Sequence, residues 1–271
     1  MTIGKYMRML AITATAMVAF ALAGCSQIEP RDKRFYYRAL WNFSLREDLA
    51  ELDSEFNGVD FGHSNLYENL LLTGGQDVPA IEERARKQTI AFIATKPRLN
   101  PNEEAIAPTY MKLAWRAQNT FDEAHALHRA TYDIAVSDEP EKDRAIRNVL
   151  AYYKDSAYAI TSKRLDHHRL DQFPYSKAFR TRFPLFNATI WAYHYLQVAV
   201  YDPLQSARGL AAKTQAIRPI LATYRRYLEQ PPVEWTFMPL TAELSPQFAA
   251  RYPELANIFD NLHMLHDNIS D

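Results

Sequence analysis

The chain has 271 residues, and its 31 lysines and arginines almost balance its 32 aspartates and glutamates. This balance leaves no basic excess of the kind that nucleic-acid-binding proteins use to neutralise phosphates, so no nucleic acid is expected as a partner. Hydrophobic residues make up 48% of the chain and there is one cysteine, so the material for a large core is present and an internal disulfide is excluded.

The first 24 residues have the three zones of an export signal. Lys5 and Arg8 give a positive start, and residues 9–22 are apolar or small apart from two threonines. A stretch of this length falls short of the roughly 20 residues that a membrane-spanning helix needs. We therefore expect residues 1–24 to be a signal peptide.

The signal ends in the tetrapeptide Leu-Ala-Gly-Cys at residues 22–25. This tetrapeptide resembles the bacterial lipobox, in which small residues precede an invariant cysteine. The resemblance implies cleavage before Cys25 and lipid on its thiol, and acylation with two or more chains anchors a protein stably. It also implies a domain that faces the periplasm, and Ser26 favours the outer membrane if the organism is Gram-negative.

A short tether follows the lipidated cysteine. Residues 25–32 form this N-terminus, and the seven residues after Cys25 reach roughly 20–25 Å when extended. Residues 33–271 are predicted to be one folded domain that lies close to the bilayer.

Helix signals begin early in this domain. Ser44 and Glu47 have the spacing of a capping box. The dipeptide Asn57-Gly58 predicts a turn, and a short helix is expected over residues 62–72.

Further helices are predicted along the rest of the chain, with proline at several of their starts. Pro219 is predicted to kink or break one of them. Only five glycines follow the signal peptide, and alternating apolar residues are scarce. The fold class is therefore predicted as all-α, a single bundle-like or irregular helical domain. The further helices are expected at about residues 77–95, 108–136, 138–162, 184–198 and 203–230, with a last short pair after 245.

Histidine is the residue type that suggests chemistry. In the predicted helix from Pro108, the spacing of Phe121, His125, His128 and Tyr132 puts both imidazoles on an apolar face. Asp122 precedes His125 by three residues, close enough to orient the imidazole or to serve as a ligand.

Four other histidines lie at similar positions. His194 is on an aromatic helix, His263 and His266 share one face of the last helix, and His63 begins the helix that carries Glu68. Paired histidines met by groups from neighbouring helices form metal sites in bundles, and neutral imidazoles suit zinc, copper, nickel or iron. The alternative is a buried histidine held by one hydrogen bond. The candidate metal ligands are His125, His128, Asp122, His194 and His266.

Several named sites are disfavoured by their motifs. No Glu-x-x-His occurs, which argues against a di-iron carboxylate bundle. No His-Glu-x-x-His occurs either, and one cysteine cannot supply the c-type haem motif. A b-type haem with axial ligands among His128, His194 and His266 stays open.

Three functions therefore remain, and no catalytic residue is predicted. The first is a lipid-anchored domain that binds or scaffolds another envelope protein. The second is a helical metal- or haem-binding protein that uses His125 and His128 with histidines from other helices. The third is an envelope enzyme without a recognisable motif.

Overall fold

The computed structural model describes residues 36–74, 76–234 and 238–271. Cys25, Ser26, the signal peptide and the tether lie outside these residues. Within the described residues the chain is helical and has no strand, so the all-α prediction is confirmed. None of the helices in this part of the chain combines the length and hydrophobicity needed to cross a membrane.

The α-helices are α1 (Ser44–Asp48), α2 (Ala50–Thr73), α3 (Val78–Ala94), α4 (Glu103–Ile106), α5 (Pro108–Val136), α6 (Lys142–Lys154), α7 (Pro174–Arg182), α8 (Pro184–Ala199), α9 (Tyr201–Ser206), α10 (Leu210–Glu229), α11 (Thr241–Leu244), α12 (Pro246–Arg251) and α13 (Pro253–Ser270).

Four of the longer helices enclose one part of the core. Helix α2 packs on α5, α5 on α13, α13 on α8 and α8 on α2, so the contacts close into a ring. Residues 37–271 form one compact unit. The large side chains in its interior are mostly aromatic, because each of these helices turns an aromatic stripe inward. Its largest fully buried aromatics are Phe56, Phe121, Tyr132, Phe186, Tyr193, Tyr201, Tyr224 and Phe259.

The start of α1 is capped from a distant part of the chain. The capping box predicted at Ser44 and Glu47 is wrong, because no side chain of α1 caps its own N-terminus. Instead, the carboxylate of Asp133 accepts the backbone N–H groups of Phe43 at 3.0 Å and Leu45 at 2.8 Å. A tertiary contact thus supplies the acceptor that the orphan helix donors require.

Helix α2 runs through the predicted turn. Asn57 and Gly58 lie inside it, so the turn prediction is wrong. The Asn57 amide donates to the carbonyl of Pro97 at 2.8 Å. A Cβ on Gly58 would lie 2.2 Å from Cγ1 of Ile93 on α3, so the glycine here permits close helix packing. Tertiary packing therefore overrides the local turn preference of this dipeptide.

The later helices follow the sequence pattern more closely. Pro108 and Pro184 each occupy the first turn of a helix, as predicted. Pro219 lies inside α10, which continues past it. Helix α6 ends at Lys154, earlier than expected, and α13 is a helix of 18 residues where a short one was predicted.

Candidate metal centre

Six of the eight histidines meet in one buried cluster between α2, α5, α8 and α13. Each of the six is at most 4% exposed. The other two, at positions 167 and 168, lie on a short 3₁₀ helix outside the cluster. We call the six residues the histidine cluster. It consists of His63 on α2, His125 and His128 on α5, His194 on α8, and His263 and His266 on α13.

The rings of the histidine cluster pack directly against one another. The ring centroids of His63 and His266 are 4.1 Å apart, as are those of His194 and His263. His63 lies 5.4 Å from His194 and 5.6 Å from His125, again between centroids. The cluster is thus one continuous group of imidazoles in a core that is otherwise largely aromatic.

Three of these histidines form a first set of donors. One ring nitrogen from each of His63, His194 and His266 lies within 4.8 Å of the other two. A tetrahedral ion bound at 2.0–2.1 Å needs its nitrogen ligands about 3.4 Å apart, so the three atoms would have to move closer by at most about 1.4 Å to share one ion. The three residues come from three helices, which is how bundles build metal sites.

Most nitrogens of the histidine cluster have no hydrogen-bond partner among the described residues. Ten of the twelve ring nitrogens are buried and unpaired. Leaving a buried polar atom unsatisfied costs about 1–3 kcal/mol, and buried polar groups in proteins are normally paired. A metal ion bound by several of these nitrogens would satisfy them together.

Tyr67 fixes the orientation of one of these rings. Its hydroxyl lies 2.7 Å from Nδ1 of His266 and 3.4 Å from the backbone carbonyl of the same residue. If Nδ1–H donates to the hydroxyl oxygen, the hydroxyl hydrogen points to the carbonyl and Nε2 keeps its lone pair. This is the usual arrangement of a metal-bound histidine, in which a second group holds the nitrogen that does not bind the metal.

A second set of donors adjoins the first. One atom from each of Asp60, Glu103 and His125 lies within 4.8 Å of the other two. Oδ1 of Asp60 is 3.4 Å from Nδ1 of His125, but the two are not aligned for a hydrogen bond. Oε2 of Glu103 accepts hydrogen bonds from the Ser64 hydroxyl at 2.5 Å and from the Gln118 amide at 2.7 Å.

Two predicted ligands, Asp122 and His128, fall in neither set. Oδ1 of Asp122 accepts a hydrogen bond from the Gln118 amide at 2.7 Å. Nδ1 of His128 lies 2.5 Å from the Tyr201 hydroxyl, and its ring stacks on Phe259 with the centroids 3.6 Å apart. Asp122 thus borders the second set, and His128 is packed among aromatic rings.

The other three predicted ligands are divided between the two sets. His194 and His266 belong to the first, and His125 belongs to the second. The centroids of the His194 and His266 rings lie 5.5 Å apart, and those of His125 and His266 are also separated by 5.5 Å. Residues predicted from three different helices are therefore neighbours in space.

Three donors were not predicted as ligands from the sequence. They are His63, Asp60 and Glu103. A usable signal existed for two of them, because Asp60 and His63 repeat the Asp-x-x-His spacing of Asp122 and His125. On a helix this spacing places both side chains on one face. Glu103 carries no such signal, since it begins the four-residue helix α4.

Burial sets the protonation of these groups. It lowers the pKa of every imidazole in the histidine cluster, that of His125 to about 4, so the rings are neutral at pH 7 as ligands must be. Burial raises the pKa of Asp60 to about 7, against the opposing charge of Arg129. Burial and the neighbouring Asp122 raise the pKa of Glu103 well above its usual range.

A buried arginine lies beside the second set, but it is already paired. Arg129 donates to the carboxylate of Asp53 and, at 2.8 Å, to the side-chain oxygen of Asn57. Its guanidinium also lies 4.9 Å from the ring centroid of Phe56. Its hydrogen bonds are thus directed away from Asp60.

No protein-family model, curated protein or solved structure matches this chain. The candidate site therefore rests on its own residues. A function can be inferred for it only from its donor atoms, their burial and their spacing.

Proposed function

We propose that this protein binds a transition-metal ion through His63, His194 and His266, in a helical domain held at a membrane by lipid on Cys25. One observation carries the proposal. Three buried imidazoles from three helices bring nitrogens within 4.8 Å of one another, and five of their six ring nitrogens have no hydrogen bond within the described chain. The sixth is held by Tyr67, which leaves the other nitrogen of His266 available.

The chemistry of the donor set indicates the type of ion. Neutral imidazoles favour zinc, copper, nickel and iron over the hard cations magnesium and calcium. Three protein ligands leave a fourth position open to water or a small ligand, whereas structural zinc sites are filled by four. Zinc or copper bound by three histidines is therefore the proposed occupant.

Haem fits this arrangement less well than a bare ion. Two axial imidazoles must lie on opposite sides of the porphyrin plane. The ring of His63 lies 5.4 Å from that of His194 and 4.1 Å from that of His266, between centroids, so packed imidazoles occupy the space that a flat macrocycle would need. Partner binding, which the sequence favoured, has no comparable geometric support, so metal binding replaces it as the first proposal.

The membrane anchor remains part of the proposal on the strength of the lipobox. An outer-membrane location facing the periplasm would place the domain where metal ions of the envelope can reach it. Binding of another envelope protein is compatible with the same anchor.

Cobalt titration of the full-length protein tests the proposal. The protein is purified in detergent without a histidine tag, stripped with a chelator and titrated with Co²⁺, whose visible spectrum reports coordination. Wild type should bind one equivalent tightly at this site, and His194→Ala should lose it. His168→Ala removes an exposed histidine outside the cluster and should bind as wild type does.

A second variant distinguishes the loss of a metal ligand from the loss of the fold, since His194→Ala could cause either. His194→Cys keeps a metal ligand but replaces nitrogen with sulfur, so bound Co²⁺ should show a thiolate charge-transfer band. Weak binding of Co²⁺, Zn²⁺ and Cu²⁺ by folded wild type, or unchanged binding by His194→Ala, would contradict the proposal.

A further inference from the structure

Asp60, Glu103 and His125 lie immediately beside the proposed histidine site. Asp60 precedes His63 by one helical turn on α2, so the two sites share a helix face. The rings of His63 and His125 are stacked with centroids 5.6 Å apart and planes 13° apart. The second set of donors is thus the neighbour of the first within one polar region.

The carboxylate of Asp60 is buried without a matching cation bound to it. The residue is 1% exposed, and its Oδ1 has no hydrogen-bond partner in the described residues. Arg129 directs its hydrogen bonds to Asp53 and Asn57 instead. A buried carboxyl group offsets the loss of hydration by taking up a proton, by ion pairing or by coordinating a metal, and a metal ion would replace the proton that burial favours on Asp60.

Neighbouring groups hold the other carboxylates in place around this point. The Gln118 amide donates to both Glu103 and Asp122, each at 2.7 Å, and so fixes two acidic side chains side by side. Ser64 donates to the same oxygen of Glu103. Two carboxyl groups and one imidazole thus have donor atoms within 4.8 Å of one another, with Asp122 as a third acidic neighbour, and this combination attracts a cation.

We infer that Asp60, Glu103 and His125 bind a second metal ion, with Asp122 as an outer-sphere acceptor. The inference deepens the proposed function, because it makes the core a centre for two different ions. Two carboxylates and one imidazole form a harder donor set than three imidazoles, and such a set favours Mn²⁺ or Fe²⁺.

The three protein ligands would leave some coordination positions of the second ion unfilled. Three protein ligands leave an octahedral ion short of its full set, and Glu103 and Asp122 are partly exposed, so this side of the centre borders solvent. The open positions bind water or the oxygen anion of a small molecule. The three histidines of the first site, in contrast, are each at most 1% exposed.

The test loads the two sites one after the other. Full-length protein in detergent is stripped, loaded with one equivalent of Zn²⁺, which the histidines bind first, and then titrated with Mn²⁺ while the EPR signal of free Mn²⁺ is followed. Wild type should bind one equivalent of Mn²⁺. Glu103→Gln should lose Mn²⁺ binding and keep Zn²⁺, whereas Glu104→Gln, the same change one residue away, should keep both.

The two proposals fail separately in this experiment. Zinc binding without manganese binding in wild type overturns the second site and leaves the first. Manganese binding that is lost in Glu103→Gln, in a protein that binds no zinc, overturns the first and leaves the second. Unchanged Mn²⁺ binding by Glu103→Gln overturns the inference. Circular dichroism checks the fold, and Asp60→Asn replaces Glu103→Gln if that variant is unfolded.

Discussion

Gly62 lies against the ring of Tyr193, and this contact sets the separation of the two helices that carry His63 and His194. A Cβ on Gly62 would be 2.4 Å from both the hydroxyl oxygen and Cζ of Tyr193. The next residue on each helix, His63 on α2 and His194 on α8, is a proposed ligand. The missing side chain of Gly62 therefore lets these two imidazoles approach to 5.4 Å between centroids.

Gly62→Ala should weaken metal binding as well as stability. The added methyl group must displace the fully buried Tyr193, and such overpacking costs about 1–3 kcal/mol. Because α2 and α8 move apart, affinity for Co²⁺ should fall by about tenfold or more, as for other changes to groups that support a metal site. Titration and urea unfolding measure the two effects.

Gly58→Ala is the matched control for this change. Gly58 lies on the same helix as Gly62, and a Cβ there would be 2.2 Å from Cγ1 of Ile93 on α3, away from the histidines. It should lower the free energy of unfolding and leave Co²⁺ affinity near that of wild type. Equal losses of affinity in both variants would show that Gly62 acts through general stability alone.

Tyr67→Phe should weaken the first metal site without unfolding the protein. The change removes the hydroxyl that lies 2.7 Å from Nδ1 of His266 and leaves the ring packing intact. Loss of such a supporting group typically lowers metal affinity by about 10–100-fold. Tyr110→Phe is the control, since the Tyr110 ring lies 4.8 Å from that of Tyr67 between centroids and its hydroxyl has no hydrogen-bond partner among the described residues. Equal affinity in the two variants would contradict the role given to Tyr67.

Arg129→Met should be strongly destabilising in the metal-free protein. It removes the guanidinium that is hydrogen-bonded to the Asp53 carboxylate, which is 1% exposed, and leaves Arg46 Nε 3.6 Å away; breaking a buried pair of this kind costs about 3–5 kcal/mol. Arg251→Met breaks a half-exposed pair with Asp143 and should cost at most about 1 kcal/mol. Urea unfolding with chelator present compares them. Adding Asp53→Asn to Arg129→Met should restore part of the loss, and no restoration would argue against the charge explanation.

Asp133 should make stability depend on pH. Burial raises its pKa from 3.8 to about 6, against the hydrogen bonds from Leu45 and Phe43. Between these two values the folded protein holds a proton that the unfolded chain has released, so this group's contribution to stability falls as pH rises. The full shift corresponds to about 3 kcal/mol.

Asp133→Asn removes this titration and isolates its effect. The free energy of unfolding of wild type minus that of the variant should fall by up to about 3 kcal/mol as the pH rises from 4 to 7. Both proteins are unfolded in urea with chelator present at several pH values. A difference that stays constant across this range would show that Asp133 does not titrate as described.

Much of the fold could be predicted from local pattern. Pro108 and Pro184 mark the starts of α5 and α8, and the apolar stripes of those helices put His125 and His194 on buried faces. The turn predicted at Asn57 failed because the packing partners of α2 lie far away in sequence. Local sequence patterns predict where a helix lies, but they do not predict which other helices pack against it.

The candidate site was only partly predictable for the same reason. The sequence places His194 and His266 each on an apolar helix face, yet their proximity depends on the packing of α8 against α13. His63 looked isolated in the sequence because its neighbours in space come from other helices. Glu103 precedes α5 in a segment without periodicity, so only the folded chain brings it to Asp60.

The most direct test of the metal site is an anomalous difference map from crystals of zinc- or cobalt-loaded protein, collected at the absorption edge of the metal. We expect a peak about 2.0–2.1 Å from one nitrogen each of His63, His194 and His266. A map without a peak there, with the three imidazoles hydrogen-bonded to water or to protein groups, would contradict the proposed site.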